Sequence, residues 1–567
     1  MKKFLSILPI ILITGYWLLV TANAAVLSDA DIAAYTAAFA DARAGRATVP
    51  AVSDDVLLAD VKYELFMSKT YRTPGADAAD WMNTNYDRPG ADNIEKLAKR
   101  KGAKNVRAAK LPRIYSPAAP TDTTADIWTA KSYSGNTLKS LNKFKSALRA
   151  GNTKNAKNIL ITPAFRSGLT SADWGRLAGR LAFIYYADGY DDLAREYCEL
   201  GASRDSEYGL WTCGLLAFKS GDFAASQDYF GHLTELPQTG DARKTESAFW
   251  AGRAAYMGEN YGTARGFWRI AAAHPHTFYG ALAAAQLGDA PEYEFFDAQL
   301  SDDDIWVLEQ EKFGRIALAL TDIGETERAG QYLRYMLTAN IDDELLNAIH
   351  GFAGTFEMPR ASMASANIVR ARGITEINPD IIFSAQYPLP DWEPLGGWSV
   401  DRALLFAIVR QESVFQPAAQ SGRGATGVMQ VMPGTARAVA RKNDAGPLDM
   451  TNPEHNMFIG QQYIVDLLTR PDIDNNIIKM LVSYNAGAGA MSKWEKKFST
   501  DDPLLYIESF SFAETRNYVK RVLANLWLYR AKLGQSSDDA EKLANGIWPK
   551  YSSQDRFAEI NSKYNEI

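Results

Sequence analysis

One short pattern recurs along the chain and constrains its fold more than any other feature. Gly189-Tyr190-Asp191-Asp192-Leu193-Ala194 is echoed by Gly221-Asp222-Phe223-Ala224-Ala225, by Gly258-Glu259-Asn260-Tyr261-Gly262-Thr263-Ala264 and by Gly324-Glu325-Thr326-Glu327-Arg328-Ala329. The first three copies start 32 and 37 residues apart, and the fourth follows after 66, about twice one period. Spacing in the mid-thirties is that of a helix–turn–helix unit. Glycine closes one helix in a left-handed cap. The aromatic and the small alanine then let the next helix pack closely on the last. Such units bury their apolar faces only by stacking, so a superhelical array is expected. Many partner-binding arrays share this physics, and the pattern leaves function open.

A chain of 567 residues is long enough for more than one domain. Its formal net charge of -6 argues against broad nucleic-acid binding, which needs a basic face to neutralise phosphates. Lys2 and Lys3, the apolar stretch Phe4 to Val20 and the small residues of Ala22-Asn23-Ala24 read as an export signal over 1–24, with Ala25 as the mature start. An uncleaved membrane anchor is the alternative. Export permits a disulfide between Cys198 and Cys213, and two buried thiols fit the spacing equally well. Pro275 separates His274 from His276 and disfavours a shared helical face, so no metal site is expected.

Helical spacing dominates after the signal, so the expected fold class is predominantly all-α. Asp29 to Asp126 is less regular, with Pro74-Gly75-Ala76-Asp77 and Pro89-Gly90-Ala91-Asp92 as similar breaks between short helices. Tyr387-Pro388-Leu389-Pro390-Asp391-Trp392 interrupts the helical pattern. Ser399 is the expected N-cap of the helix that follows, with Asp401 in its first turn. The domains expected are a signal at 1–24, a helical superhelix at 25–386, a linker at 387–398 and a second module at 399–567.

The helix from Val400 runs through Leu404, Leu405, Ala407 and Ile408 to Arg410-Gln411-Glu412-Ser413. A carboxyl buried at such a position resists ionisation and stays protonated near neutral pH. It can then donate to a leaving-group oxygen. Taken alone, Glu412 reads more readily as a surface carboxylate beside Arg410 or Arg423.

Three later segments change that reading. They are Gly424-Ala425-Thr426-Gly427-Val428-Met429-Gln430-Val431-Met432-Pro433-Gly434-Thr435-Ala436, then Ser483-Tyr484-Asn485-Ala486-Gly487-Ala488-Gly489, then Glu514-Thr515-Arg516-Asn517-Tyr518-Val519. In this order they resemble the catalytic domain of the soluble lytic transglycosylases, the family-1 group with a lysozyme-like fold. The helical array resembles the ring-forming superhelix of the large members, as does Phe278-Tyr279-Gly280 ahead of Leu287-Gly288.

The resemblance implies roles residue by residue. Glu412 is the catalytic acid/base, and Ser413 fixes the local helix and turn. Ser421 supplies a hydroxyl near the sugar. Gln430 and Met432 line the groove, with Met429 beside them. Tyr484 stands near the reacting sugar next to Asn485, and Glu514 and Tyr518 line the groove. The residues also have plainer readings: the methionines as core filler, the tyrosines as helix packing, Glu514 with Arg516 as an ion pair. Ala488 and Ser511 stand where the family usually has proline, which loosens loop geometry and leaves the catalytic atoms in place.

The implied reaction is cleavage of the MurNAc–GlcNAc bond of peptidoglycan with formation of 1,6-anhydro ends, for cell-wall remodelling or recycling. It needs no cofactor. The resemblance further implies a monomer in the periplasm of a Gram-negative bacterium, acting on glycan strands, with cell-wall synthesis or remodelling proteins as partners. The basic stretch Lys96 to Lys110 then reads either as a solvated face or as a contact for anionic cell-wall peptides. Two rival functions are a hydrolytic muramidase of goose-lysozyme type, with Glu508 or Glu514 as base, and a non-catalytic wall-binding scaffold.

Overall fold

The computed structural model describes residues 26–117, 128–289, 293–375 and 377–555, so the expected signal at 1–24 lies outside it. Among the described residues there are 28 helices. The β pairing among them is limited to isolated bridges at Gln420–Thr426, Thr426–Val431 and Asn476–Lys550. No described helix is long and apolar enough to cross a membrane. The chain divides into two compact units, Met1–Ala118 with Glu294–Asp391, and Ala119–Tyr293 with Trp392–Ile567. The last division falls inside the 387–398 connector.

In the first unit, helices Asp29–Arg43 and Leu58–Met67 share one apolar core with the helices between Asp302 and Ser384. Its polar centre is Asp60, fully buried, which accepts from Arg88 at 2.6 Å and from Arg328 and Tyr332 at 2.7 Å each. A satellite core of Trp81, Met82, Ile94 and Leu97 holds helices Gly75–Asn85 and Ala91–Arg100. The two Pro-Gly breaks do separate short helices here. The basic stretch is exposed, and part of it is engaged locally: Lys96 pairs with Asp92, Lys99 with Glu95, and Arg107 lies 3.4 Å over the Tyr86 ring.

The second unit contains three repeat copies as the helix pairs Ser171–Ala187 and Asp191–Ala202, Glu207–Lys219 and Phe223–Glu235, and Asp241–Met257 and Tyr261–Ala272. Polar caps start several of them: Thr170, Ser206, Asp222 and Asn260 each accept the backbone N–H three residues on. Glycines 189, 221 and 324 take the expected left-handed conformation, with φ of 78° to 79°. The third copy differs: Gly258 has φ -87°, and Glu259 takes the left-handed position at φ 61°. The geometry is counted back from the residue that caps the second helix (Tyr190, Asp222, Asn260), so this copy is offset by one.

Three helices meet backbone to backbone along a glycine seam. A Cβ on Gly179 would stand 2.5 Å from Gly209 N, and one on Gly209 would stand 2.6 Å from the Gly201 carbonyl carbon. Cys198 and Cys213 join the same helices in a disulfide with Cα atoms 5.4 Å apart. Trp211, Phe230 and Trp250 fill the core of the next repeat.

Candidate active site

Helix Arg402–Ser413 buries every residue from Ala403 to Val409 and packs along helix Ala513–Lys532. Its start corrects the sequence expectation. The N-cap position is Asp401, not Ser399. Ser399 instead donates its N–H to Gln461 at 2.9 Å and accepts from Gln462 on its hydroxyl. Asp401 forms no capping bond, because its buried carboxyl turns toward Arg530 at 3.5 Å.

The helix stops abruptly after Glu412-Ser413. Val414 and Phe415 are both left-handed, with φ 51° and 58°. For a β-branched residue this conformation costs on the order of 1–3 kcal/mol. Packing holds it there: Phe415 is fully buried between Trp392 and Phe406, at ring distances of 5.9 and 6.2 Å. Ser413 closes the last turn by donating to Val409 O at 3.1 Å. Glu412 is thus left at the end of a rigid apolar helix.

Burial pushes the Glu412 carboxyl up to about 7, and the Glu514 carboxylate adds to the rise while the Tyr518 hydroxyl opposes it. The effect is reciprocal. Burial, then the charge of Glu412, holds the Tyr484 and Tyr518 hydroxyls well above the usual phenol range. Tyr484 donates to Met429 O at 2.9 Å, and its ring packs 5.5 Å from Tyr463. The buried Tyr518 hydroxyl is directed at the Glu412 carboxyl and favours its ionised form by hydrogen bonding. Glu514 is exposed in the first turn of helix Ala513–Lys532, one turn before Tyr518.

The segment from Ala419 to Met432 forms a tight loop beside Met429. Ser421 donates its N–H to Ala425 O and accepts from Gly424 N on its carbonyl, and its hydroxyl accepts from Ala425 N. Gln430, itself left-handed at φ 48°, donates to Ala419 O and Gly427 O. The Met429 side chain has no exposed surface and packs on Gly460, so its part is core filling and a backbone acceptor rather than sugar contact. Met432 is 43% exposed at the start of the next helix. Asn485 accepts from Thr515 at 2.7 Å and ties helix Ile477–Ala486 to helix Ala513–Lys532.

Arg516 does not pair with Glu514. It lies on another face, donates to Phe510 O and covers the Phe183 ring at 4.3 Å. Glu508 is 2% exposed and bound to Tyr279 at 2.6 Å and Lys520 at 2.9 Å, which leaves it no role as a base for water.

Sequence reasoning missed Asn456. Fully buried, it accepts Met429 N at 2.8 Å and donates to Thr426 O and Met450 O at 3.0 and 3.1 Å. Gly427, at φ 83°, has no room for a Cβ against this amide. The available signal was an asparagine followed by apolar residues in the first turns of helix Pro453–Leu468. The Val414–Phe415 turn carried no signal, because glycine normally marks that conformation.

Fold and site together define a lysozyme-like helical module with one proton-holding glutamate, joined to stacked helical repeats. Residues 394–507 match the transglycosylase SLT domain, and residues 509–538 match the soluble lytic transglycosylase helical domain. The matches together run from 394 to 538, about a quarter of the chain. A soluble lytic murein transglycosylase of Salmonella typhimurium is 37% identical over 144 residues, covering 24% of this chain and 22% of that protein. A putative soluble lytic murein transglycosylase of Haemophilus influenzae is 27% identical over 263 residues, covering 45% and 42% respectively. The matched segments therefore span between a fifth and a half of these relatives. The lytic transglycosylase Slt of Pseudomonas aeruginosa shares the fold with a TM-score of 0.56 at 19% identity, over 91% of this chain and 81% of that one. The 70 kDa soluble lytic transglycosylase of Escherichia coli does so with a TM-score of 0.52, over 88% and 95%. Glu514 and Tyr518 fall in the helical-domain match, outside the SLT-domain match that holds Glu412.

Proposed function

We propose that this protein is a peptidoglycan lytic transglycosylase that works in the periplasm of a Gram-negative bacterium, with Glu412 as its single acid/base. The observation that carries the reading is a half-buried glutamate, pushed up to about 7 by desolvation, facing two tyrosines whose hydroxyls are held well above the usual phenol range. The SLT-domain match over 394–507 and the murein transglycosylase relatives support the substrate.

In the proposed reaction Glu412 donates its proton to the glycosidic oxygen between MurNAc and GlcNAc, and the C1–O bond breaks. The substrate's N-acetyl group assists at C1, which removes the need for a second carboxylate. Ionised Glu412 then takes the proton of the sugar's 6-hydroxyl as that oxygen bonds to C1. The anhydro ring closes, the glutamate regains its proton and no water is consumed. Tyr484 commits its hydrogen to Met429 O, so its oxygen presents lone pairs to positive charge growing on the ring. Gln430, Met432 and Ser421 are the proposed groove residues.

Binding and cleavage separate in Glu412→Gln. The expected outcome is at least a ~10³-fold loss of strand cleavage with glycan binding retained, as for removal of a residue acting in both proton transfers. Cleavage at the wild-type rate would refute the assignment.

A further inference from the structure

Helix Ala513–Lys532 enters the site with its first turns, and those turns are gripped on the side away from Glu412. Residues four apart share a helical face, while residues two apart are about 200° round. One face gives Glu514 and Tyr518 to Glu412. The other gives Arg516 and Lys520 to the helical repeats. Lys520 reaches Glu246 at 2.8 Å and Glu508 at 2.9 Å. Glu508 also accepts the Tyr279 hydroxyl, which in turn accepts Trp250 Nε1 at 3.1 Å. Arg243 takes the other oxygen of Glu246 at 2.7 Å. Further along, Trp527 stacks on Phe278 at 5.5 Å.

We propose that Lys520, through Glu246 and Glu508, is a positioning residue for the reaction: the repeats set the rotation and height of this helix, and thereby where Tyr518 and Glu514 stand against Glu412. The inference rests on Glu412 as the acid/base. Tyr484 is anchored by its own bond to Met429 O, whereas the Tyr518 hydroxyl has no anchor apart from Glu412 itself. Its place against Glu412 is set by the helix that carries it. Buried ion pairs add little stability over apolar packing, whereas they impose direction. Replacing Lys520 by methionine removes the directional bonds while keeping an unbranched side chain of similar length.

The test is kinetic, on the full chain with soluble glycan strands of one length. Lys520→Met is expected to lower kcat roughly 10–100-fold, the cost of misplacing a group by a fraction of an ångström to one ångström, with KM within about twofold. The groups that face Glu412 are Tyr484, Tyr518 and Glu514. Tyr518 favours its anion, so loss of that contact moves the basic limb of the kcat–pH profile upward. Lys520→Arg, which keeps the charge and reach, restores most of the rate and the wild-type limb. A folded Lys520→Met enzyme with wild-type kcat and an unmoved limb overturns the inference, even if its Tm falls. If that variant does not fold, Glu246→Gln, which leaves the Lys520–Glu508 pair, decides by the same two readings. Failure of the underlying reading is distinct, since it is seen in the wild type as absence of anhydro products.

Discussion

At Glu412 the cost of keeping a carboxyl out of water and the use made of it are the same quantity. Raised from 4.5 to about 7, the group binds a proton in the folded state that it has lost in the unfolded chain. Stability therefore falls as pH rises from about 4.5 to 7, by about 3 kcal/mol in total. Glu412→Gln has no such titration. Relative to wild type it should gain about that much stability between pH 4.5 and pH 8, measured by denaturant unfolding, while losing activity. A difference independent of pH would show that Glu412 titrates normally. Asn456 carries a second prediction at this scale. Asn456→Ala leaves Met429 N and Met450 O without the partner they have here, at about 1–3 kcal/mol each where they stay dry, and takes one of two bonds from Thr426 O. Its Tm should fall well below that of wild type, and an unchanged Tm would mean that water reaches the loop.

At the scale of elements, what could be read from the sequence depended on whether the cause was local. The helix pairs and the apolar run ending at Glu412 follow from residues a few positions apart, and they were legible. The start of that helix was not, because Asp401 is drawn to Arg530, 129 residues away. Nor was the choice of Glu259 over Gly258 in the third repeat, which follows from where Asn260 caps. The Lys520–Glu246–Glu508 cluster joins two neighbouring helices to one some 270 residues earlier and leaves no mark in any of them. The disulfide was left open by the spacing, and here it closes a separation of 15 residues. A loop of that size is worth about 3 kcal/mol through restriction of the unfolded chain. Reductant should lower the stability of wild type by about that amount and leave a Cys198→Ala/Cys213→Ala variant unaffected. Gly209→Ala, forced against the seam, should cost about 1–3 kcal/mol through overpacking, visible as a lower denaturation midpoint.

At the scale of the whole molecule, the two units contain buried groups that titrate in opposite senses. His350, in the first unit, is held down to about 4 by burial, with Nδ1 2.9 Å from Ser365 Oγ. The unfolded chain takes up this proton first, so the contribution of His350 to stability is lost as pH falls from about 6.5 to 4, again by about 3 kcal/mol. His350→Gln should gain on wild type by that amount over this window, and a parallel pH dependence would contradict it. Glu412, in the second unit, loses stability in the other direction. The second unit also unites the SLT-domain match with three of the helical repeats, which is why the repeats can bear on the chemistry at Glu412.

The central claim is a proton transfer that ends in ring closure rather than hydrolysis, and the mass of the product reports it directly. Mass spectrometry of muropeptides released from purified sacculi should show ends one water lighter than a hydrolysed product, in wild type and not in Glu412→Gln. Release of reducing ends alone by the wild type would contradict the account and make the protein a hydrolytic muramidase.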